Sequence, residues 1–427
     1  MRNRVGLWTP GIRLLLFVLF TLGLTAQHPT KYATDSVEQQ QAVAGAMKQH
    51  TYSISFQDGV LHGPGMDFLA QNTANAQFVL FGEEHNVKEW PDFLDALFSF
   101  LHQHDNFNYF ALESDPVSAH LVSIPPLRGN ETAWEEYAAR YPNAVTFATD
   151  QELRMILDAT RISTGGVDAV WGLDQSFGVL HSLDRLSALP GFHSTPKFEE
   201  LHKEAEPRDS KRLGKNMPHY MAEVVRLADL EELRKEQSPP EGSEAQFILD
   251  NLVSSSQIYG YYLRGEAGEP TYYLSGYVRE EQMKHLFLRE YRAAEARGEH
   301  NPKVMLKLGQ WHVRRGSGPS NLQTLGNFVT EFATANGTQA LTLGVYLRGP
   351  WRDVSTQDGM KPIALATDAT KWSVIDFRPV RAIVAGSRLG AINPNLLSQI
   401  YGFDAGLVIG DAKPATYTIL EKGAQKP

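Results

Sequence analysis

The sequence predicts an α/β fold, a mostly parallel central sheet flanked by helices, with a charged helical insertion forming a cap over the strand ends. Three observations predict it. Short apolar runs of strand length alternate with stretches of helical period along most of the chain. Two runs end in one pattern of glycine, two residues and histidine: Ala76 to Phe81 leads into Gly82, Glu83, Glu84 and His85, and Val304 to Leu308 leads into Gly309, Gln310, Trp311 and His312. Two more end on carboxylates, Tyr109 to Leu112 on Glu113 and Ala169 to Trp171 on Gly172, Leu173 and Asp174. Ligands of an open parallel sheet bind beyond the carboxyl ends of its strands, so these residues can converge although far apart in sequence.

The opening residues read as an address. Arg2, Arg4 and Arg13 precede an apolar stretch from Leu14 to Leu24, and Thr25, Ala26 and Gln27 follow as a small-residue cleavage region. That is the layout of a secretory signal peptide over residues 1–26. The stretch is short for a permanent span, so a secreted or periplasmic protein with no stable membrane span after cleavage is expected, and an uncleaved anchor is the alternative. Residues 27–70 are polar and weakly patterned and are expected to pack as an extended lead-in.

The main domain is expected over residues 71–427 and opens with the strand at Ala76. Pro91 to His102 reads as a helix: proline suits the first turn, and Phe93, Leu94, Leu97, Phe98 and Leu101 recur at helical spacing. Tyr109 to Glu113 then closes a strand–helix–strand crossover, whose topology is parallel. Gln151 to Ala159 is expected to be helical, and the Ala169 strand follows. A helical insertion is expected over about 190–300. It begins charge-rich, with Lys197, Glu199, Glu200, Lys203, Glu204 and Glu206, then Glu231, Glu232, Arg234 and Lys235, mixed signs that mark a solvated helical face. Helices at Glu244 to Leu263 and Gly276 to Ala296 lead to the second glycine and histidine strand. A helix near Asn321 to Ala335 and strands near Ala340 to Leu347, Trp372 to Phe377 and Ala405 to Ile409 complete the domain.

Composition limits the function classes. A chain of 427 residues with 42% hydrophobic and 21% charged content is ordinary soluble globular material with enough length for a large core. A formal charge of −9 gives no general attraction to nucleic acid or anionic lipid, so no nucleic-acid partner is expected. Cysteine is absent, which excludes disulfides, thiolate nucleophiles, thiolate metal ligands and cysteine-linked lipids.

The order of these motifs, with Gln175 after Asp174 and with Arg279, Glu280 and Met283 on one helix, resembles the erythromycin esterase-like family. The tail around Phe403, Asp404, Pro414, Ala415 and Thr416 is similar to how that family ends. Two departures bear on the chemistry. Erythromycin esterases carry one more residue between the glutamate and histidine of the first motif, where this chain has only Glu84 between Glu83 and His85. Their second motif usually holds two histidines three apart, where this chain has Gly309 and then His312. The shorter spacings look like the related ChaN, TraB and Tiki proteins, whose signature is the paired Gly-x-x-His motif. The resemblance implies a hydrolase for a small-molecule ester, lactone or peptide, with Glu84, Asp174 and Gln175 as substrate-binding candidates.

Two mechanisms fit the catalytic candidates Glu83, His85, Glu113, Arg279 and His312. Without metal, His85 is the base for water, Glu83 or Glu113 orients it, His312 is a second acid or base, and Arg279 steadies the oxyanion. With metal, His85, His312 and Glu113 form a two-histidine, one-carboxylate set for zinc or manganese, with an open position for water. The cluster Tyr259, Tyr261, Tyr262, Tyr272 and Tyr273 raises a different reading, because ChaN-like proteins bind haem through tyrosine. Haem or other ligand binding and a catalytically inactive relative are therefore the alternatives. His102, His104, His120, His181 and His285 lack a matching context and are assigned to scaffold.

Overall fold

One sheet in the order β2-β1-β8-β9-β7-β3-β6-β4-β5 organises the chain. Its strands are β1 (Thr51–Gln57), β2 (Val60–His62), β3 (Ala76–Glu83), β4 (Tyr109–Leu112), β5 (Val170–Gly172), β6 (Val304–Gly309), β7 (Gln339–Leu347), β8 (Trp372–Asp376) and β9 (Ala405–Ile409). The structure, a computed structural model, describes residues 36–163, 168–264, 270–318, 321–385 and 392–424. The signal-peptide reading at 1–26 lies outside the described residues.

The six strands from β9 to β5 run parallel, and β8, β1 and β2 add an antiparallel edge. Strands buried on both faces read as continuous apolar runs, and β3, β4, β5, β6 and β9 are buried along their whole length. Side chains alternate between the two faces. Val79, Phe81, Phe110, Leu112 and Met305 meet the helices Glu89–Asp105 and Asp150–Ile162, while Phe78, Leu80, Ala111, Leu306 and Leu308 meet the helices Pro270–Ala296 and Leu325–Ala335.

The chain departs from the expected lead-in between residues 36 and 73. Here a helix Val37–Gln49, the β1–β2 hairpin and a helix Pro64–Thr73 form, and Val43 and Met47 enter the core. The physical reason is period-two alternation, in which Tyr52, Ile54 and Phe56 share one side of β1, followed by an Asp58–Gly59 turn with both residues at positive φ, 51° and 79°. The sheet therefore begins before residue 71.

The insertion is a separately packed layer. Helices Pro196–Asp209, Leu227–Gln237 and Glu244–Arg264 bury Phe198, Leu201, Leu230, Leu233, Ile248, Leu249 and Leu252 against one another. The final helix of that stretch, Pro270–Ala296, is divided in role: Ser275 and Arg279 face a cavity under the cap, and Met283, Phe287 and Tyr291 pack on the sheet.

Topology places the site. β3, β6, β4 and β5 are consecutive neighbours, with Glu83 opposite Gly309 and Leu112 opposite both Lys307 and Gly172. From β6 the chain crosses to β7 on the far side of β3. That reversal creates a crevice at the strand ends, and it is where the two glycine and histidine motifs meet.

Candidate functional site

An open cavity of about 1130 Å³ lies above these strand ends. Glu83, Glu84, His85, Glu113, Gln175, Arg279, Gly309 and His312 line it together with cap residues Met217, Pro218, Ile258, Tyr259 and Tyr262. Seven of the eight residues singled out from sequence are thus brought to one cavity. Asp174 is the exception.

Glu113 is the centre. It is 6% exposed, its Oε2 accepts the Gly309 N–H at 2.6 Å and its Oε1 accepts from Arg279 Nη2 at 2.7 Å. Two imidazoles approach the same carboxylate, His85 Nε2 at 4.0 Å from Oε2 and His312 Nε2 at 3.8 Å from Oε1. Both separations exceed a hydrogen bond and leave room for a shared water or reacting atom. Burial would raise the Glu113 pKa, but the electrostatic influence of His312, His85 and Arg279 and the Gly309 N–H reverse it and bring it down to about 2.

Each imidazole is fixed from behind by its own carboxylate. His85 Nδ1 bonds Glu83 Oε1 at 2.9 Å, and His312 Nδ1 bonds Glu280 Oε1 at 2.7 Å. The second Glu280 oxygen accepts the Leu325 N–H at 2.8 Å, which ties it to the start of the helix Leu325–Ala335. With carboxylates at both Nδ1 atoms, each ring donates there and turns the basic Nε2 toward Glu113. Burial alone would lower the His85 pKa; the Glu113 charge and the Glu83 hydrogen bond outweigh it and raise it. His85 also stacks on Phe147, ring centres 3.7 Å apart, and Phe147 holds a positive φ of 54°. A non-glycine residue in that region is strained and persists only where its surroundings fix it.

Below the site lies a charge chain absent from the sequence reading. Lys307 interrupts the apolar run of β6 on the same face as Met305, 3% exposed. Its Nζ lies 2.9 Å from Glu83 Oε1 and also contacts the Glu152 carboxylate from the helix Asp150–Ile162. Burial would raise the Glu83 pKa, but Lys307 and His85 lower it, so this carboxylate stays ionised as the His85 partner. Glu152, by contrast, is raised by burial to about 7.

Two sequence expectations need correction. Asp174, proposed to contact substrate, is fully buried and binds Arg279, Oδ1 to Nε at 2.9 Å and Oδ2 to Nη2 at 2.7 Å. It orients the guanidinium instead. The metal set of His85, Glu113 and His312 also does not assemble. Among the described residues no three His, Asp or Glu side chains converge as a metal group, and a fixed guanidinium already sits 2.7 Å from the shared carboxylate, where it repels a dication. The site does not fit zinc or manganese, and no step is routed through one.

Gln175 and Glu84 complete the lining. The Gln175 amide oxygen is buried without a hydrogen-bond partner, an acceptor open to a ligand donor. Glu84 accepts from Gln357 Nε2 at 3.2 Å and lies 3.6 Å from Arg352, and burial raises its pKa. Gly309 has a structural reason: a Cβ there would stand 3.1 Å from His85 Nε2 and 3.2 Å from Glu113 Oε2, inside the reaction space. Of the tyrosine cluster, only Tyr259 and Tyr262 line the cavity. Tyr259 points its hydroxyl at Met217 Sδ, and burial raises its pKa, which opposes the phenolate that iron takes.

No protein-family model matches the sequence, and no curated protein matches it. Among solved structures the chain is similar to a succinoglycan biosynthesis protein, with TM-score 0.56, 15% identity, and coverage of 88% of this chain and 98% of that one. A Bacillus cereus protein matches with TM-score 0.55 and 14% identity over 88% of this chain and 98% of its own. An erythromycin esterase mutant in its open conformation matches with TM-score 0.55 and 14% identity over 82% of this chain and 94% of that one. The chain therefore has the erythromycin esterase-like fold.

Proposed function

We propose that the protein is a metal-independent hydrolase that attacks a carbonyl ester, lactone or amide with water activated by His85. The observation that carries this reading is the pair of imidazoles, each held at Nδ1 by a buried carboxylate, whose Nε2 atoms face the two oxygens of Glu113 at 4.0 and 3.8 Å in an open cavity. The likeness to an erythromycin esterase supports hydrolysis at the level of the fold.

In this reading His85 Nε2 accepts a proton as water oxygen bonds to the carbonyl carbon, and ionised Glu113 stabilises the imidazolium that forms. Negative charge moves to the carbonyl oxygen and is met by Arg279, whose Nη1 makes no hydrogen bond among the described residues while Nε and Nη2 are held by Asp174 and Glu113. Collapse breaks the bond to the alcohol or amine, which takes the proton that His85 Nε2 accepted, with His312 Nε2 as the second acid or base beside Glu113. The two rings then exchange protons with solvent. The basic-then-apolar N-terminal segment supports placing this reaction in the periplasm or the medium.

A panel of 4-nitrophenyl esters, lactones and amino-acid amides tests the proposal against the His85→Ala and His312→Ala variants. Turnover by the parent protein, lost in both variants while their melting curves stay cooperative, supports it. Equal turnover by the variants contradicts it.

A further inference from the structure

The cavity lining carries a cation that the proposed chemistry does not use. Arg314 follows the short helix Gln310–Val313, two residues after His312, and lines the same cavity. Its Nε is buried without a hydrogen-bond partner, and its side chain has one acceptor among the described residues, the Ser398 carbonyl at 3.3 Å from Nη2. No carboxylate among the described residues lies within ion-pair distance of it. Its neighbours show the usual compensation. Arg315 is held by both Asp404 oxygens at 2.6 Å, and Arg279 by Asp174 and Glu113.

A half-buried guanidinium without a counter-ion is costly, and burial lowers the Arg314 pKa, the sign of a charge left uncompensated. The groups lining the cavity beside it are neutral: Tyr346, whose hydroxyl donates to Gln399 Oε1 at 2.9 Å, and Gln310, whose amide donates to the Val345 carbonyl at 2.6 Å. Glu84, an acidic group of the same lining, already faces Arg352 at 3.6 Å. The cap contributes Met217, Pro218, Ile258 and Tyr262 to the lining, together with Lys215 and His219, and no carboxylate.

We propose that Arg314 is an anion-binding subsite, so that the substrate of this cavity carries a carboxylate or phosphate group in addition to the scissile carbonyl. This inference rests on the hydrolytic reading only for the word substrate; the subsite itself is a binding claim. Nη1 of Arg314 makes no hydrogen bond among the described residues, and this N–H group, not the enclosed Nε, is the one offered to a carboxylate or phosphate oxygen in the cavity, where the anion supplies the counter-charge that the fold does not. Orientation follows, since the anion on Arg314 and an acceptor-seeking donor on Gln175 would align the carbonyl between them over Glu113.

Isothermal titration in a non-phosphate buffer tests it with four probes: adipate, hexanoate, inorganic phosphate and the neutral 1,6-hexanediol. The parent protein is expected to bind the anions and not the diol, with affinity falling by about 10-fold or more in Arg314→Met and partly kept in Arg314→Lys, the size of a charged hydrogen bond. Equal anion binding by the parent and Arg314→Met, or no anion binding by a parent protein with a cooperative melt, overturns the subsite. Because Arg314→Met could perturb the wall itself, Arg314→Gln, which keeps the polar shape, must give the same loss. Anion binding without turnover of any ester would contradict the hydrolytic reading and uphold the subsite.

Discussion

Replacing Lys307 with methionine tests the electrostatic foundation of the site. The ammonium lies 2.9 Å from Glu83 and contacts Glu152, and all three groups are nearly inaccessible. Removing one partner from a buried ion network costs about 3–5 kcal/mol, because charges are left uncompensated. Proton uptake limits the loss. Glu152 is already raised by burial to about 7, and Glu83 without Lys307 loses the chief influence lowering it, so burial then raises it.

Both carboxyls then bind protons more tightly folded than unfolded, where the ordinary value is 4.5. The folded state binds more protons above that pH, and stability falls as pH rises. The parent protein behaves oppositely at Glu83, whose lowered pKa gives stability above 4.5 that is lost as pH falls through the folded value. The melting-temperature deficit of Lys307→Met is therefore expected to widen steadily from pH 5 to pH 8 in thermal denaturation. A second substitution, Glu152→Gln, should recover part of the deficit by removing one orphaned charge. A deficit that is absent, or that shrinks with rising pH, refutes the reasoning.

Three further outcomes are expected. Gly309→Ala should lower kcat/KM by about 100-fold, the scale of a small misplacement of reacting groups, at a stability cost of no more than ~1–3 kcal/mol for local overpacking; normal turnover would show that the space beside His85 is not the reaction space. Dialysis against a chelator should leave hydrolysis unchanged and added zinc should not raise it, checked by steady-state rates with metal analysis of the same samples. Asp174→Asn should lower kcat by roughly 10-fold or more through a loosened Arg279, with KM little changed; a rise in KM alone would return Asp174 to a substrate contact.

Much of the sheet was legible because strands buried on both faces are continuous apolar runs, and β3, β4, β6 and β9 match their runs within a residue or two. The β1–β2 hairpin was also written in the chain, in the alternation of Tyr52, Ile54 and Phe56 and in Asp58–Gly59, but its polar face masks it in a composition-based reading. Convergence of Glu83, His85, Glu113, Arg279 and His312 followed from strand-end topology. Partners set by tertiary packing did not. Glu280 lies three residues before Met283 and seven before Phe287, on the core-facing stripe, so helical period marks it as buried, although its charged neighbours suggest a solvated face. Lys307 was visible as a lysine inside an apolar strand, while Phe147 and Glu152 carry no sequence signal that links them to the site. The metal expectation failed because spacing shows donors but not the guanidinium placed among them.

The most direct measurement of the central claim is the pH dependence of kcat/KM for chelator-treated parent protein and Glu83→Gln. His85 works as a base only when neutral, and its pKa is raised above the ordinary 6.5 by Glu113 and Glu83. The account predicts an acid limb with its midpoint above 6.5 in the parent protein, moved to lower pH in Glu83→Gln, with a depressed plateau. A limb at the same pH in both proteins would contradict His85 held by Glu83 as the catalytic base.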